Sequence, residues 1–217
     1  MLTRDRIVRA AIDLIERDGA EALSMRKVAA ELDAAAMSLY HHVPNKAALL
    51  DAVVERIVTD IDFSDDPEAP VRERARGMMR AFRKISHDHP RTVNLVITRD
   101  FESPATLRLF EHAMEIARAA GYPLADATRI AGTFLSFAVG CLMRETRFQK
   151  MVEDHGDHAL EEKFAAADPA AFPNISALVA SAFVLDLDAE FEFGLDLLLK
   201  ASLPEAFPPH EPAGPNR

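Results

Sequence analysis

Leu23-Ser24-Met25-Arg26-Lys27-Val28-Ala29-Ala30-Glu31-Leu32, a break at Asp33-Ala34, and then Ala35-Ala36-Met37-Ser38-Leu39-Tyr40-His41-His42 decide the fold. Ser24 suits a helix N-cap, because its hydroxyl accepts a hydrogen bond from a free first-turn amide. Val28, Ala29 and Leu32 then repeat at the spacing of one helix face. A second short helix is expected over 35–42. It ends at Val43-Pro44, since a residue before proline avoids the α region. Its spacing turns Leu39 inward and leaves Ala36, Met37, Tyr40 and His41 facing outward. Two short helices across such a break suit a helix-turn-helix. In that motif the second helix enters the ~12 Å major groove of DNA and the first crosses the backbone.

The same reading extends outward. Ile7, Ala10, Ala11, Leu14 and Ile15 mark an amphipathic helix, capped by Thr3 and stopped at Asp18-Gly19. Downstream, Asn45 caps a helix from Lys46 to about Ile61, with Leu49, Leu50, Val53, Val54 and Ile57 on one side. Asp62 to Pro67 is a polar linker. Pro70 opens a long helix that ends before Pro90 and is expected to touch both domains, with Met78, Met79, Phe82 and Ile85 apolar. Further helices are expected at 104–120, 124–152, 171–183 and 186–201, with prolines at their edges. Val93 to Thr98 is β-prone but has no partner strand, and reads as a short helix or loop. The fold class is therefore all-α: an N-terminal three-helix helix-turn-helix domain plus a larger helical domain. The expected division is 1–46, a connecting helix and linker at 47–66, a helical body at 67–203, and a disordered Pro-rich tail at 204–217.

Composition narrows the function. The 217 residues are 49% apolar and 28% charged, enough for a sizeable core and unlike a disordered or fibrous chain. The single cysteine, Cys141, excludes a disulfide framework and a Cys-rich zinc site, and fits a cytoplasmic protein. No apolar run approaches the ~20 residues of a membrane span, and the charged N-terminus does not read as a signal peptide. The net charge of −10 argues at first against nucleic acid. Yet residues 1–50 carry seven Lys/Arg and seven Asp/Glu, so all the excess acid lies in residues 51–217. A neutral head can still turn a basic face to phosphate.

Leu23–Leu32, joined to Ser38-Leu39-Tyr40-His41-His42-Val43-Pro44-Asn45-Lys46-Ala47-Ala48-Leu49-Leu50, resembles the DNA-binding domain of the tetracycline-repressor (TetR) family over about residues 3–57. Phe191-Glu192-Phe193-Gly194-Leu195-Asp196-Leu197-Leu198-Leu199 resembles the last helix of the family's C-terminal domains. The resemblance implies that Tyr40 and Lys46 contact phosphates, that His42 and Ser24 assist at the DNA backbone, and that Arg26, Ala36 and Met37 lie nearest base edges. Arg26 can bond guanine O6 and N7, whereas Ala36 and Met37 can sense only a thymine methyl or local shape. The family usually has Gly where this chain has Asp33, so that turn position is expected to need a positive φ. It further implies that the larger helical domain is a ligand-binding and dimerisation domain and that the chain is a ligand-responsive regulator, a repressor released as a homodimer from a palindromic double-stranded operator by a small molecule; no cofactor is expected. Two alternatives stay open. The bland Ala34-Ala35-Ala36 run suggests a ligand sensor with weak or lost sequence-specific DNA binding. An all-helical enzyme is the other, although no catalytic motif is present.

In the acidic body, Met78, Phe82, Phe110 and Phe137 belong to an apolar set that can line a pocket, with His112 and Glu115 as polar anchors. The expected effector is largely apolar, and the −10 body would favour a cationic one. Ala127, Ala131, Leu135, Ala138 and Leu142, with Leu187, Phe191, Leu195 and Leu198, are the expected dimer faces; Gly132 and Ser136 allow close approach. His87-Asp88-His89 and His155-Gly156-Asp157-His158 read as helix ends, and no metal site is expected. Arg99-Asp100 and Arg144-Glu145 read as solvated charges, and Arg4 and Arg6 as a solvated helix start.

Overall fold

Side-chain caps set the boundaries of the first helices. In the computed structural model, which describes residues 1–62, 65–98, 104–181 and 184–203, α1 (Arg4–Asp18) begins where Thr3 Oγ1 accepts from the Arg6 amide at 3.2 Å. Ser24 Oγ does the same for Lys27 at the start of α2 (Met25–Glu31), and Asn45 Oδ1 for Ala48 at the start of α4 (Lys46–Asp60). Each such cap is worth ~1 kcal/mol. Between them lies α3 (Ala36–Tyr40), whose N-cap Ala35 offers no side-chain acceptor.

The turn from α2 to α3 closes by the Ala34 amide donating to the Ala29 carbonyl at 2.9 Å and Asp33 to Ala30 at 3.2 Å. This is the paired bonding of a Schellman helix end, which places one residue in the left-handed region. That residue is Asp33, at φ 47°, the one non-glycine with positive φ among the described residues.

The body continues with α5 (Val71–Asp88), α6 (Pro90–Thr98), α7 (Pro104–Ala119), α8 (Leu124–His155), α9 (Ala159–Ala165), α10 (Pro173–Ala180) and α11 (Leu187–Ser202). No strand occurs among the described residues. The β-prone Val93–Thr98 segment is helical, and Pro90 starts α6 at the position where a missing N–H costs nothing. A 3-10 turn at Ala20–Ala22 and the short α9 lack a sequence signal strong enough to announce them. One apolar cluster runs from Ile7 and Leu39 through Phe82 and Phe134 to Leu195 and Leu203. The expected tail at 204–217, part of the 62–67 linker, and Arg99-Asp100 lie outside the described residues.

Three expectations change. α4 packs on α1 within the head and equally on α6 and α7 of the body, so α6 and α7, rather than the long α5, carry its contact between head and body. The faces assigned to dimerisation are used within the chain: Ala127, Ala131, Ala138, Leu142, Phe191 and Leu195 are all buried. Periodicity marks an apolar face but does not say whether its partner is the same chain or another. Third, Glu145 is not solvated: it is 6% exposed and joins α8 to α5.

A row of arginines on α5 faces α11. Arg76 reaches Glu192 and Asp196, Arg80 reaches Glu192 at 2.8 Å, and Arg83 reaches Asp188 at 2.7 Å. The Arg80 hydrogen bond holds the Glu192 carboxyl below its usual range. Next to this seam, Phe137 stacks on Phe191 with centroids 5.5 Å apart. A Cβ added at Gly194 would sit 2.6 Å from Phe137 Cε2. Gly194→Ala is therefore expected to cost ~1–3 kcal/mol through overpacking, read as a lower urea midpoint; an unchanged midpoint would show that the ring pair moves aside freely.

Candidate nucleic-acid interface and apolar cavity

The helix-turn-helix turns α3 outward. Leu39 is fully buried against the head, whereas Met37 is 73% and Tyr40 45% exposed. Arg26, His42 and Lys46 are exposed and Ser24 is half-buried, its hydroxyl already engaged as the α2 cap. Ala36 departs from expectation: it is half-buried and packs against the core, so its methyl is partly withdrawn from the outward face. Arg26, Met37, Tyr40, His42 and Lys46 thus stay on the surface, with Ala36 and Ser24 behind them.

Ion pairing explains how a head of zero net charge keeps a basic patch. Arg4 pairs with Glu55 at 3.2 Å, Arg9 with Asp5 at 2.8 Å, Arg17 with Glu31 at 3.2 Å, and Lys27 with Asp18 at 4.0 Å. Arg6 binds the Met1 carbonyl at 2.8 Å. Among the described residues no carboxylate lies within ion-pair distance of Arg26 or Lys46. Their charges are left for phosphate or base edges, and Lys46 stands at the N-terminus of α4, where the helix dipole also favours an anion.

Head and body meet through a bond set that sequence reading missed. The Glu16 carboxylate on α1 accepts from the Thr92 amide at 2.8 Å and the Arg91 amide at 3.2 Å, capping α6 from another helix. It also accepts from the buried Thr92 hydroxyl, and Arg91 donates back to the Arg17 carbonyl at 2.7 Å. No local pattern could announce this, because the partners lie 76 residues apart.

Within the body, α5, α7 and α8 line an apolar cavity with about 70 Å³ of free space. Met78, Met79 and Phe82 line it from α5, Leu109 and Phe110 from α7, Phe134 and Leu135 from α8, with Leu203 at the end of α11. Thr106 is the one polar side chain in the wall among the described residues. Of the expected lining, Met78, Phe82 and Phe110 are brought together. Phe137 is not among them; it stacks on Phe191 instead. His112 also lies elsewhere, with Nε2 3.6 Å from Asp65 and Nδ1 3.5 Å from Glu115. At the near end of α7, Thr106 lines the cavity while its neighbour Ala105 packs on Val54 and Val58 of α4. One helical turn therefore touches both the cavity and the helix that begins at Lys46.

The histidine segments fall at helix ends, as their positions suggested. His87 is in the last turn of α5, His155 in that of α8, and His158 precedes α9. His87 Nε2 lies 2.9 Å from Glu145. Cys141 is half-buried on α8, and burial pushes its thiol pKa up, which suits a packing residue more than a nucleophile. No helix among the described residues is long and apolar enough to cross a membrane.

An outward-turned helix-turn-helix with two free cations, carried on an all-helical body around an apolar cavity, defines a DNA-binding transcription regulator. The comparisons agree. Residues 7–53 match the model of bacterial regulatory proteins, tetR family, and residues 63–201 that of the tetracyclin repressor-like C-terminal domain. The chain belongs to the tetR family. It is 31% identical over 168 residues to an HTH-type transcriptional regulator of Saccharopolyspora erythraea, covering 77% of this chain and 71% of that protein. It is 29% identical over 209 residues to the HTH-type transcriptional repressor DrrR1 of Streptomyces coeruleorubidus, covering 91% and 76%. Among solved structures, Streptomyces coelicolor ActR in complex with actinorhodin superposes with a TM-score of 0.75 at 26% identity, covering 94% of this chain and 97% of that one.

Proposed function

We propose that the protein is a homodimeric, cytoplasmic repressor that leaves a near-palindromic operator when a small apolar molecule enters the cavity of the body. Its work is regulation rather than catalysis. The observation that carries this reading is the exposed groove helix flanked by Arg26 and Lys46, cations that no carboxylate of the described chain neutralises. The head comprises residues 1–46, the connecting helix and linker 47–66, and the body 67–203. The relative named a repressor and the ligand-bound ActR structure support the direction of control and the presence of an effector. Among the described residues the cavity wall carries no charged side chain, which favours an apolar, neutral effector over a cationic one. Its entry displaces the first turn of α7, and Ala105 passes that displacement to Val54 and Val58 of α4. The groove helices of the two protomers then no longer match half-sites that DNA holds one helical turn apart.

The test is a selection for bound DNA sequences, followed by titration of variants on the selected site. Tyr40→Ala and Lys46→Ala are each expected to weaken binding without lowering thermal stability, since both side chains are exposed. Lys46→Ala should also flatten the log–log salt dependence by about one unit per half-site. Arg26→Ala should relax preference at one base pair by ~1–3 kcal/mol. Unchanged affinity and salt slope in both Tyr40 and Lys46 variants would remove this face from the interface. By linkage, effector and operator must weaken each other by the same factor.

A further inference from the structure

We propose that Leu203 is the yielding part of the apolar cavity wall and sets the size of the molecule the cavity admits. The proposal rests on reading that cavity as the effector site.

Leu203 follows the last turn of α11 and is 3% exposed, with its side chain in the cavity wall. It is unlike the rest of the lining. The other wall residues sit inside α5, α7 and α8, three helices packed on one another along their lengths. Leu203 is a helix-end residue with non-helical backbone, φ −131° and ψ 70°. It is kept in place from outside its own helix. Arg72 Nε of α5 donates to the Leu203 carbonyl, and the Tyr122 hydroxyl donates to the Ser202 carbonyl. Tyr122 comes from the turn between α7 and α8, beyond Gly121 at φ 91°. The two carbonyls that end α11 are thus held by the two neighbours of the cavity. Such carbonyls have no partner within their own helix, so these bonds fix Leu203 at no cost to α11.

Size makes this placement matter. The free space in the cavity is about 70 Å³, about half that of the ~150 Å³ dry apolar cavity that takes benzene. An apolar molecule of that size is buried here only if part of the wall moves. Shifting α5 means breaking its arginine contacts with Glu192, Asp196 and Asp188, and shifting α8 means opening its long seam with α7. Among the described contacts, shifting Leu203 breaks its own amide bond to Leu199 and the bonds from Arg72 and Tyr122, all at one helix end. Effector size is read there, and a molecule that displaces Leu203 pushes on α11 as well as on α7.

The experiment measures benzene and naphthalene binding by calorimetry to the full chain and to three variants. Leu203→Ala should enlarge the cavity toward ~150 Å³, a size at which a dry apolar cavity takes benzene. It should bind naphthalene at least tenfold more tightly than the wild type, because the new space is continuous with the old. Leu203→Val, a smaller truncation that is easier on folding, should show a gain in the same order and a lesser amount. Phe82→Ala enlarges the cavity at its α5 wall and serves as the control. A gain for benzene but not naphthalene in the Leu203 variants would mean that the new space is separate, overturning the proposal. So would a naphthalene gain in Phe82→Ala alone, which would leave the cavity reading intact. No gain in any variant would overturn the cavity reading and this proposal with it.

Discussion

Phe193→Glu is expected to convert the protein to a monomer at micromolar concentration and to abolish operator binding. Phe193 and Leu197 sit on the outer face of α11, 68% and 54% exposed, one helical turn apart. Met143 is exposed on α8 and Ser136 and Gly140 give that helix a small-residue face. Large apolar side chains grouped on a surface mark an interaction site. α8 and α11 already pack on each other through Phe137 and Gly194, so two copies of the pair can form a four-helix interface. In a two-fold interface the same patch meets itself. One substitution therefore buries two carboxylates close together and removes two aromatic anchors. Every 1.4 kcal/mol lost is about tenfold in the dimer constant, and several are lost here. Operator binding falls with it, because a palindrome is held by two heads and a lone head keeps only half the contacts. Sedimentation of the variant, with circular dichroism to verify helix content, decides the matter. A dimer that survives both Phe193→Glu and Leu197→Glu has its interface elsewhere.

How far the sequence announced this molecule depends on how local each signal is. Thr3, Ser24 and Asn45 cap the helices expected of them, and Leu39 points inward, because capping and periodicity act within a few residues. The Asp33 conformation was legible through the TetR resemblance, since the turn geometry is a backbone property that Asp tolerates. The outward residues Met37 and Tyr40 followed from the spacing around Leu39, but Ala36 did not. A methyl is small enough to be half-covered at the edge of a face. In the body, Met78, Phe82 and Phe110 shared a cavity as expected, while Phe137 faced the other way on α8. A 32-residue helix that is apolar on more than one side does not say which phenylalanine faces which neighbour. The least legible features were long-range polar ones. Glu16 capping α6, and Glu145 between Arg83 and His87, join residues more than fifty positions apart. Arg144-Glu145 illustrates the limit: Arg144 is exposed and pairs with Glu190, while its neighbour, about 100° further around the helix, is buried.

That buried carboxylate gives the largest expected loss of stability. Glu145→Ala should cost ~2–4 kcal/mol, a large share of the ~5–15 kcal/mol that holds a protein of this kind folded. Glu145 Oε1 takes two hydrogen bonds from Arg83, at 2.8 and 3.1 Å, and Oε2 lies 2.9 Å from His87. The Arg83 side chain is 14% exposed. Burial works against its charge, yet the hydrogen bonds to Glu145 and Asp188 outweigh burial and raise its pKa. Removing Glu145 leaves a buried guanidinium with only the solvent-facing Asp188 and the Phe191 ring, whose centroid is 4.6 Å away. Those two partners bring the loss down by about 1 kcal/mol from the ~3–5 kcal/mol of a fully orphaned ion. Removing both charges, in Glu145→Leu with Arg83→Leu, should restore most of the stability, since desolvating an ion pair consumes much of what the pair returns. The measurement is a double-mutant cycle in urea. Additive losses would mean that the two groups do not depend on each other, and a single-variant loss under ~1 kcal/mol would mean that water already reaches Arg83. If the double variant is stable, what the pair supplies is register. Arg83 directly follows Phe82 of the cavity wall, and Glu145 lies on the helix that also carries Phe134. An apolar pair lets α5 slide along α8, whereas a hydrogen-bonded ion pair holds it at one position. The double variant should therefore be as stable as the wild type but release its operator over a broader range of effector concentration.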